Sequence, residues 1–496
     1  MIPYVIRSTR GGVSDENRRG LEGSFSFGYG LDIHNRLDAL RAGSTCATIL
    51  DASTGELGSG TTRGTTLNSH FNMFVPSFDG TTYCFGATGS IMAVSPDGYW
   101  TNVYNDTEAI TGAGEFGLDD GTVYMFWGKS TSYARRRMGT TFDTARDSGQ
   151  AIWGNSVEQV WKTEGISSTA VWHSMANASG ALMIANGEGL SVLDFDGDFD
   201  PLKVNVRPGN LINAIEERDD YTIFGSERND TGEEGHLWAW IVTALNYIQK
   251  KRIPVQGVNA LVTAEQSLLQ GGDNGEIFSA DFTSSVPLAT IPGGGHVIPG
   301  GVTVHEDLAA FGIFGGSYPG IWTYGRRHIN RSPALNYQYR LSPTVGGSTV
   351  ATIGAVAVIN GTLMASWGIT ESDSSSYGVD AVSSTTRATA LYEGLEFDGG
   401  QAWNKKLVDS VHVTCAPLPS GTSFSIKYKA DKDSWHYTIY GDGSTTYSTA
   451  GATEAISALT EPSHILEIGA EINPSGSDTP EIYEIATYLS NQVNAY

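Results

Sequence analysis

An acidic run with carboxylates at every second position is the most metal-like feature of the sequence. It reads Asp194-Phe195-Asp196-Gly197-Asp198-Phe199-Asp200, and alternate carboxylates of this kind can converge on a hard cation such as Ca²⁺. The rest of an EF-hand loop is missing, because its twelfth position would be Asn205 instead of a bidentate Glu. The predicted calcium ligands are Asp194, Asp196 and Asp198. An acidic hairpin turn is the alternative, and no other cofactor is indicated.

Three short basic clusters each follow an apolar run. They are Arg135-Arg136-Arg137, Lys250-Lys251-Arg252 and Arg326-Arg327-His328. If the apolar runs are equivalent strands of a repeat, the clusters form a basic band on an acidic body, suited to an acidic neighbour or a phosphate backbone. The predicted interface residues are Arg135, Arg136, Arg137, Arg326 and Arg327. Solvated turns are the alternative interpretation.

The common catalytic motifs are missing from the sequence. There is no nucleophile elbow, and His305-Glu306 lacks the second His of an HExxH motif. Gly128-Lys129-Ser130 resembles the end of a phosphate-binding loop, but the Gly required five residues before Gly128 is Val123. Glycoside hydrolysis needs only two carboxylates, and 54 acidic residues neither exclude nor identify such a pair. We therefore predict that the protein is not an enzyme, with glycan hydrolysis left open.

The charge balance limits the classes of partner. The chain of 496 residues has 30 Lys and Arg against 54 Asp and Glu, which gives a net charge of -24. A protein that coats nucleic acid needs a basic face, so this composition argues against that class. It is compatible with a wall along which DNA slides. The N-terminus lacks the apolar core of a signal peptide, so synthesis in a cytoplasm is expected.

A short apolar run that ends at or near a glycine recurs seven times. The marker glycines are Gly86, Gly128, Gly187, Gly225, Gly271, Gly315 and Gly368. Their mean spacing of about 47 residues, made of short strands, is typical of a β-propeller blade. The sequence therefore predicts an all-β protein with a propeller of about seven blades, six to eight being compatible, over residues 70–398. A string of β-sandwiches is the alternative.

Two further segments flank the predicted propeller. Residues 1–69 form an N-terminal arm, in which Thr45 to Leu50 is the candidate for a strand that closes the last blade. In residues 399–496 apolar side chains alternate with polar ones, which favours a C-terminal β-sandwich. The uncharged stretch from Leu341 to Thr370 contains the hairpin signal Asn360-Gly361, so we predict two strands and no membrane span.

The N-terminal segment contains Gly11-Gly12-Val13-Ser14, the run from Gly23 to Ile33, and Leu40-Arg41-Ala42-Gly43. These runs give the chain a resemblance to virion proteins of tailed bacteriophages. At the C-terminus the resemblance rests on the run from Lys405 to Val413 and on Leu418 to Tyr428, with a late edge strand near Thr479 to Ile482. The middle of the chain matches only as a repeat architecture.

The resemblance implies a non-enzymatic building block of a phage particle. It would form a homo-oligomer in the neck or tail, of the tail-nozzle type, contacting other virion proteins around a DNA path without sequence-specific binding. Its place would be the virion, after synthesis in the host cytoplasm. One alternative is a receptor- or glycan-binding virion protein, for which Tyr99, Trp100, Trp322 and Tyr324 are candidate aromatic contacts. The other is a polysaccharide-degrading propeller enzyme.

Overall fold

The described part of the chain consists of β-strands and their connections. The structure is a computed structural model, and it describes all residues except 1, 15–22, 36–37, 52–66, 99, 139–157, 163–165, 168–169, 219–220, 229–233, 281, 344–349, 372–373, 400–402, 460–461 and 492–496. Among the described residues, no helix has the length and apolar character needed to span a bilayer.

Five strands lead into a series of seven four-stranded sheets, which we number sheet 1 to sheet 7. The leading strands are β1 (Ile2–Ile6), β2 (Gly12–Val13), β3 (Ser24–Phe25), β4 (Phe27–Tyr29) and β5 (Ser44–Asp51). Sheet 1 is β6 (Phe71–Pro76), β7 (Thr82–Gly86), β8 (Ser90–Val94) and β9 (Trp100–Asn105). Sheet 2 is β10 (Gly112–Gly117), β11 (Val123–Gly128), β12 (Tyr133–Arg137) and β13 (Glu158–Lys162).

The next three sheets repeat the same strand order. Sheet 3 is β14 (Met175–Ala178), β15 (Ala181–Asn186), β16 (Gly189–Leu193) and β17 (Phe199–Asn205). Sheet 4 is β18 (Asn210–Arg218), β19 (Tyr221–Arg228), β20 (Gly235–Trp240) and β21 (Gln249–Ile253). Sheet 5 is β22 (Val258–Thr263), β23 (Ser267–Gly271), β24 (Glu276–Ala280) and β25 (Ser285–Thr290).

The last sheet of the series recruits a strand from the start of the chain. Sheet 6 is β26 (Val302–His305), β27 (Leu308–Ile313), β28 (Gly320–Gly325) and β29 (Ala334–Arg340). Sheet 7 is β30 (Val350–Ile359), β31 (Thr362–Glu371) and β32 (Ser374–Arg387), with β5 as its fourth strand. The predicted closing strand, Thr45 to Leu50, lies within β5.

The first strands of the seven sheets form a closed cycle of neighbours. β6 contacts β10, and the cycle continues through β14, β18, β22, β26 and β30 back to β6. These strands belong to one compact unit, Thr48–Gly320 with Pro343–Ala381, which we call the ring unit. Four-stranded antiparallel sheets arranged in this way are the blades of a β-propeller, so the predicted propeller fold is confirmed.

Apolar packing between successive sheets stabilises the ring. Phe85 and Ile91 of sheet 1 share a cluster with Met125 and Trp127 of sheet 2. Equivalent clusters join sheets 2 and 3, sheets 3 and 4, sheets 4 and 5, and sheets 7 and 1. Because a sheet that is covered on both faces needs a neighbour on each side, each blade is stable only within the series.

The marker glycines lie on the second strand of each of the seven sheets or within two residues of its end. Gly225 shows one reason for the residue type, because a methyl group there would overlap with the side chain of Val258 at the start of sheet 5. Gly187 and Gly315 instead adopt positive φ angles at sharp turns. The sequence signal therefore marks positions where blades approach closely or the chain turns.

The hairpin predicted between residues 341 and 370 is present in sheet 7. Ile359 pairs with Thr362, and Asn360 and Gly361 between them have φ angles of 51° and 76°. Positive φ at both central residues is the requirement of a type I′ turn, which Asn-Gly satisfies.

A second compact unit, the terminal unit, comprises Met1–Ala47, Ile321–Ser342 and Val382–Tyr496. Its remaining strands are β33 (Ala390–Glu393), β34 (Lys406–Cys415), β35 (Ser423–Ala430), β36 (His436–Tyr437), β37 (Ile439–Tyr440), β38 (Glu454–Ala458), β39 (Leu466–Asn473) and β40 (Ile482–Asn491). One five-stranded sheet has the order β1-β40-β34-β38-β37, and the other has the order β36-β35-β39-β33-β4. A short parallel pair, β2-β3, completes the set.

These two sheets differ from the sandwich predicted for residues 399–496. β1, β4 and β33 come from outside that range, and β33 lies inside its sheet between β39 and β4. The late strand that the resemblance placed at an edge is also different, because β40 lies between β1 and β34. Long-range antiparallel pairing carries no local sequence pattern, which is why these partners were missed.

We predict that Gly354→Ala disrupts the contact that closes the ring. Gly354 is on β30, and a methyl group there would overlap with the carbonyl oxygen of Phe71 on β6. Because this obstacle is backbone, we expect a loss of at least about 2 kcal/mol in the free energy of unfolding, measured by urea titration. The control is Gly117→Ala on β10, where the nearest atom would be 3.6 Å away. Equal stability of the two variants would contradict the role of Gly354 in ring closure.

Candidate functional site

The predicted calcium ligands lie in the turn that joins β16 and β17. The backbone N–H of Asp194 donates to the carbonyl of Asp198 at 3.0 Å, and Oδ1 of Asp194 accepts from the N–H of Asp198 at 2.8 Å. Asp196 and Asp198 are exposed. Within the described part of the chain, no three His, Cys, Asp or Glu side chains are grouped as metal ligands. These residues therefore lie in a hairpin turn between β16 and β17, and the calcium site stays a prediction.

The predicted interface arginines occupy different places in their sheets. Arg135, Arg136 and Arg137 are on β12, the third strand of sheet 2, and the guanidinium of Arg135 lies 4.7 Å from the ring centroid of Tyr124. Lys250, by contrast, is on the fourth strand of sheet 4. The prediction that the clusters occupy equivalent strand positions is therefore wrong.

Arg326 and Arg327 follow β28 and are half-buried. Nη1 of Arg326 donates to the carbonyls of Ile329 and Arg331, at 3.1 and 3.2 Å. Nη1 of Arg327 donates to Oδ1 of Asn35, and burial lowers the pKa of the Arg327 guanidinium. Arg326 therefore stabilises the loop that contains Ile329 and Arg331, and Arg327 connects this loop to the N-terminal segment at Asn35.

The aromatic residues considered for glycan binding are largely buried. Trp100 is 3% exposed and stacks on Phe71, and Trp322 is fully buried against Tyr337 with ring centroids 4.8 Å apart. Tyr324 is also buried, and Tyr99 lies outside the described residues. The three described rings therefore serve as core and offer no stacking platform.

Lys129, which resembled a phosphate-loop lysine, is a buried structural residue. Its Nζ lies 3.1 Å from Oδ1 of Asp106, and Oδ2 of Asp106 accepts a hydrogen bond from Nε1 of Trp127 at 2.9 Å. The side chain of Lys129 is 4% exposed. The ammonium group of Lys129 is therefore neutralised by the ion pair with Asp106.

Sheet 4 and the connection that precedes it contain a group of basic side chains that the sequence revealed only in part. The basic cluster, as we call it, comprises Arg207, Arg228, His236, Lys250 and Arg252. His236 pairs with Arg252, and Trp238 pairs with Lys250, across strands β20 and β21. Opposite residues of an antiparallel pair share a face, so these side chains point to the same side of the sheet. Lys251 points to the other side and donates to the carbonyl of Thr283.

Among the described residues, the carboxylate of Glu234 lies within the basic cluster. Oε1 of Glu234 is 3.0 Å from Nη2 of Arg252, and its Oε2 is 3.9 Å from both Nη1 of Arg228 and Nε2 of His236. Burial and the charge of Lys250 lower the pKa of His236 to about 4, so this ring is neutral at pH 7. Burial and the charge of Arg207 lower the pKa of Lys250.

The end of the ring unit opposite the basic cluster has many acidic residues in its turns. The turns between first and second strands, and between third and fourth strands, meet there across neighbouring sheets. The N–H of Phe78 donates to Oε1 of Glu115 at 2.9 Å, and the N–H of Asp119 donates to the carbonyl of Phe195 at 3.0 Å. The acidic residues in these turns are Asp79, Asp97, Asp119, Asp120, Asp194, Asp196, Asp198, Glu265, Glu306 and Asp307. The turn between β28 and β29 of sheet 6 differs, because it contains Arg326, Arg327 and Arg331.

Glu216, near the C-terminus of β18, has the most strongly shifted pKa among the described acidic residues at the acidic end of the ring unit. Burial raises its pKa to about 7, opposed by the hydrogen bond that Oε1 accepts from the N–H of Thr263 at 3.2 Å. The charge of Glu217 contributes in the same direction as burial. Near neutral pH, Glu216 is therefore partly protonated.

A separate ion network connects distant segments of the terminal unit. Nη2 of Arg41 lies 2.6 Å from Oδ2 of the buried Asp32, and its Nη1 lies 3.2 Å from Oε1 of Glu481. Arg387 approaches the same carboxylate of Asp32 at 3.8 Å. Arg41, Arg387 and Glu481 also line a cavity of about 240 Å³. Since these cations already face Asp32 and Glu481, the network is structural.

Comparisons with known proteins give no family for this chain. No protein-family model and no curated protein matches the chain. The WD40 β-propeller domain of Doa1 matches 69% of this chain and 98% of its own, with 12% identity and a TM-score of 0.44. Virginiamycin B lyase from Staphylococcus aureus matches 63% of this chain and 94% of its own, with 9% identity and a TM-score of 0.39. The Neurospora crassa Pan2 WD40 domain matches 64% of this chain and 90% of its own, with 9% identity and a TM-score of 0.39.

We predict that Glu216 makes the protein less stable as the pH rises. The folded-state pKa of Glu216, about 7, lies above the ordinary value of 4.5. The stabilisation that comes from its protonated carboxyl is therefore fully present below pH 4.5 and is lost as the pH rises through 7. Glu216→Gln should therefore gain up to about 3 kcal/mol over the wild type between pH 4.5 and pH 8, measured by urea unfolding. The exposed neighbour provides the control, because Glu217→Gln should show no such pH-dependent gain. A constant difference between Glu216→Gln and wild type at both pH values would exclude a raised pKa.

We also predict that the Arg41 network is a major stabilising contact of the terminal unit. Arg41→Met removes the ion-pair partner nearest to the buried Asp32 carboxylate and leaves Arg387 at 3.8 Å, which should cost about 3–5 kcal/mol in urea unfolding. Adding Asp32→Asn should recover part of that loss. Arg7→Met is the matched control, because Arg7 forms an exposed pair with Glu484 and its loss should cost about 1 kcal/mol or less. Similar losses for Arg41→Met and Arg7→Met would refute the assignment.

Proposed function

We propose that this protein is a non-enzymatic structural component of a tailed-phage particle. In this proposal it is a homo-oligomeric neck or tail protein of the nozzle type, which contacts other virion proteins around the path of the DNA. The two five-stranded sheets would form one β-sandwich that docks neighbours together with the N-terminal arm. The sequence resemblance at both ends of the chain supports the assignment to a virion.

The observation that carries the proposal is the closed ring of seven sheets with acidic turns at one end. The ring is held by backbone contacts and apolar clusters between sheets, so it is suited to a rigid wall. Carboxylates at its acidic end repel phosphate groups, in keeping with the net charge of -24. Such a surface favours DNA that passes without adhering to it.

The test is immunogold electron microscopy of particles from the source culture, with antibody against this chain. We expect gold at the neck or along the tail, together with oligomers of the purified chain in analytical ultracentrifugation. Gold at the extreme tip would instead favour receptor binding. Bare particles beside labelled soluble protein or host cells would overturn the virion assignment.

A further inference from the structure

The five-stranded sheet β36-β35-β39-β33-β4 of the terminal unit has one apolar face and one face of aromatic and charged side chains. The apolar face is buried and includes Phe424, Ile426, Ile468 and Ala470. On the other face, a row of directly opposite residues crosses four strands, namely Tyr437, Lys427, Gly469 and Glu393. Cross-strand neighbours point to the same side of a sheet, so this row belongs to one surface.

An indole ring lies across this row at the position of its glycine. Trp435 precedes β36 and is half-buried, and a methyl group on Gly469 would lie 3.1 Å from Cζ3 of its ring. The Nζ atoms of Lys427 and Lys429 lie 5.1 and 5.8 Å from the ring centroid. The glycine leaves the space that the indole occupies, and the two ammonium groups attract the ring electrostatically. Trp435 is therefore held in place before any ligand binds.

The polar groups of this surface are also held by contacts with one another. Nζ of Lys427 lies 3.7 Å from Oε1 of Glu393, and the hydroxyl of Tyr437 donates to Oε2 of Glu471 at 3.0 Å. Tyr29 on β4 belongs to the same surface, because the charges of Glu471 and Glu393 add to burial in raising the pKa of its phenol. We call this surface the aromatic face and define it by six residues, Tyr29, Glu393, Lys427, Trp435, Tyr437 and Glu471.

The charges of the aromatic face favour an uncharged ligand. Lys427 faces Glu393, and Nζ of Lys429 lies 3.0 Å from Oε1 of Glu467, so each lysine already has a carboxylate partner. A phosphate backbone is bound instead by cations that neutralise its phosphates. Hydroxyl groups can donate to carboxylates and accept from ammonium groups, so a ligand rich in hydroxyls matches the groups that are present.

An apolar partner suits the aromatic face less well. In the row next to the glycine, Leu391 lies between Glu471 and Tyr29, and its aliphatic side chain is 9% exposed. What this row offers a ligand is therefore a carboxylate and a phenol. Tyr437, at the β36 edge, is 44% exposed. Aromatic rings beside a few fixed polar groups are typical of sites for small polar ligands.

We propose that the aromatic face binds a neutral pyranose glycan. The C–H groups on one side of a pyranose ring carry partial positive charge and pack on the negative face of an aromatic ring, which Trp435 or Tyr437 supplies. The sugar hydroxyls donate to Glu471 and Glu393. Because the indole and the carboxylates are already positioned, little side-chain freedom is lost on binding.

This site does not depend on the virion assignment, since it is formed by the terminal unit alone. Residues 15–22, which precede β3, lie outside the described part of the chain. The test therefore uses Trp435 and Tyr437, which lie at the β36 edge of the sheet, whereas β4 forms the opposite edge.

The test is an array of immobilised neutral oligosaccharides of glucose, galactose, mannose and N-acetylglucosamine, probed with the full chain. Calorimetric titration with the soluble form of the best-bound glycan then gives the affinity. We expect saturable binding by the wild type and affinity at least about tenfold weaker for Trp435→Ala, because the stacking ring is lost. Trp435→Phe keeps a ring and should retain part of the affinity. The matched control is Trp403→Ala, which removes a 76% exposed tryptophan of the same unit and should bind as wild type.

Urea unfolding of Trp435→Ala separates lost binding from lost folding. A midpoint equal to that of the wild type assigns the weaker binding to the aromatic face. If the midpoint falls, Tyr437→Ala decides instead, because its exposed side chain contributes less to the core. Absence of wild-type binding across the array would overturn the site, and so would equal weakening by Trp435→Ala and Trp403→Ala. Bare particles in immunogold microscopy would remove the virion assignment and leave this site unaffected.

Discussion

Closure of the ring is the constraint on which the rest of this structure depends. Each four-stranded sheet is apolar on both faces, so it is stable only with a neighbour on either side. In an open series the first and last sheets would each expose a face. The contact between β30 and β6 removes both exposed faces at once, and β5 adds the outer strand that sheet 7 would otherwise lack.

The same constraint accounts for the path of the chain. Because sheet 7 takes its fourth strand from β5, the chain begins and ends in the terminal unit and contributes its long middle to the ring unit. The terminal unit follows a related principle, since β1 and β40 pair although they lie at opposite ends of the sequence. Arg41 strengthens this closure within the unit by linking Asp32 to Glu481.

Charge is distributed on this frame with a clear polarity. Acidic turns accumulate at one end of the ring unit, whereas the basic cluster is formed where Arg207 on the connection between sheets 3 and 4 approaches the edge of sheet 4. The buried side chains of Asp32 and Lys129, by contrast, are paired. Lys129 with Asp106 is the example in the ring unit, and its role is to satisfy the indole of Trp127 within the core. Exposed charge is therefore available for function, while buried charge supports the fold.

The sequence by itself determined the repeat, because short strands, close-approach glycines and Asn-Gly turns are local features that each blade must carry. Gly225 and the turn at Asn360-Gly361 could be predicted because their backbone geometry restricts the residue type. It did not determine which distant strands pair, so the membership of β1, β4 and β33 in the terminal sheets was missed. It also suggested Lys250 and Arg252 but not Arg207, Arg228 or His236, which are separated in sequence. Only the tertiary structure decided that grouping, because proximity across paired strands and between blades depends on register and ring closure, which leave no local pattern.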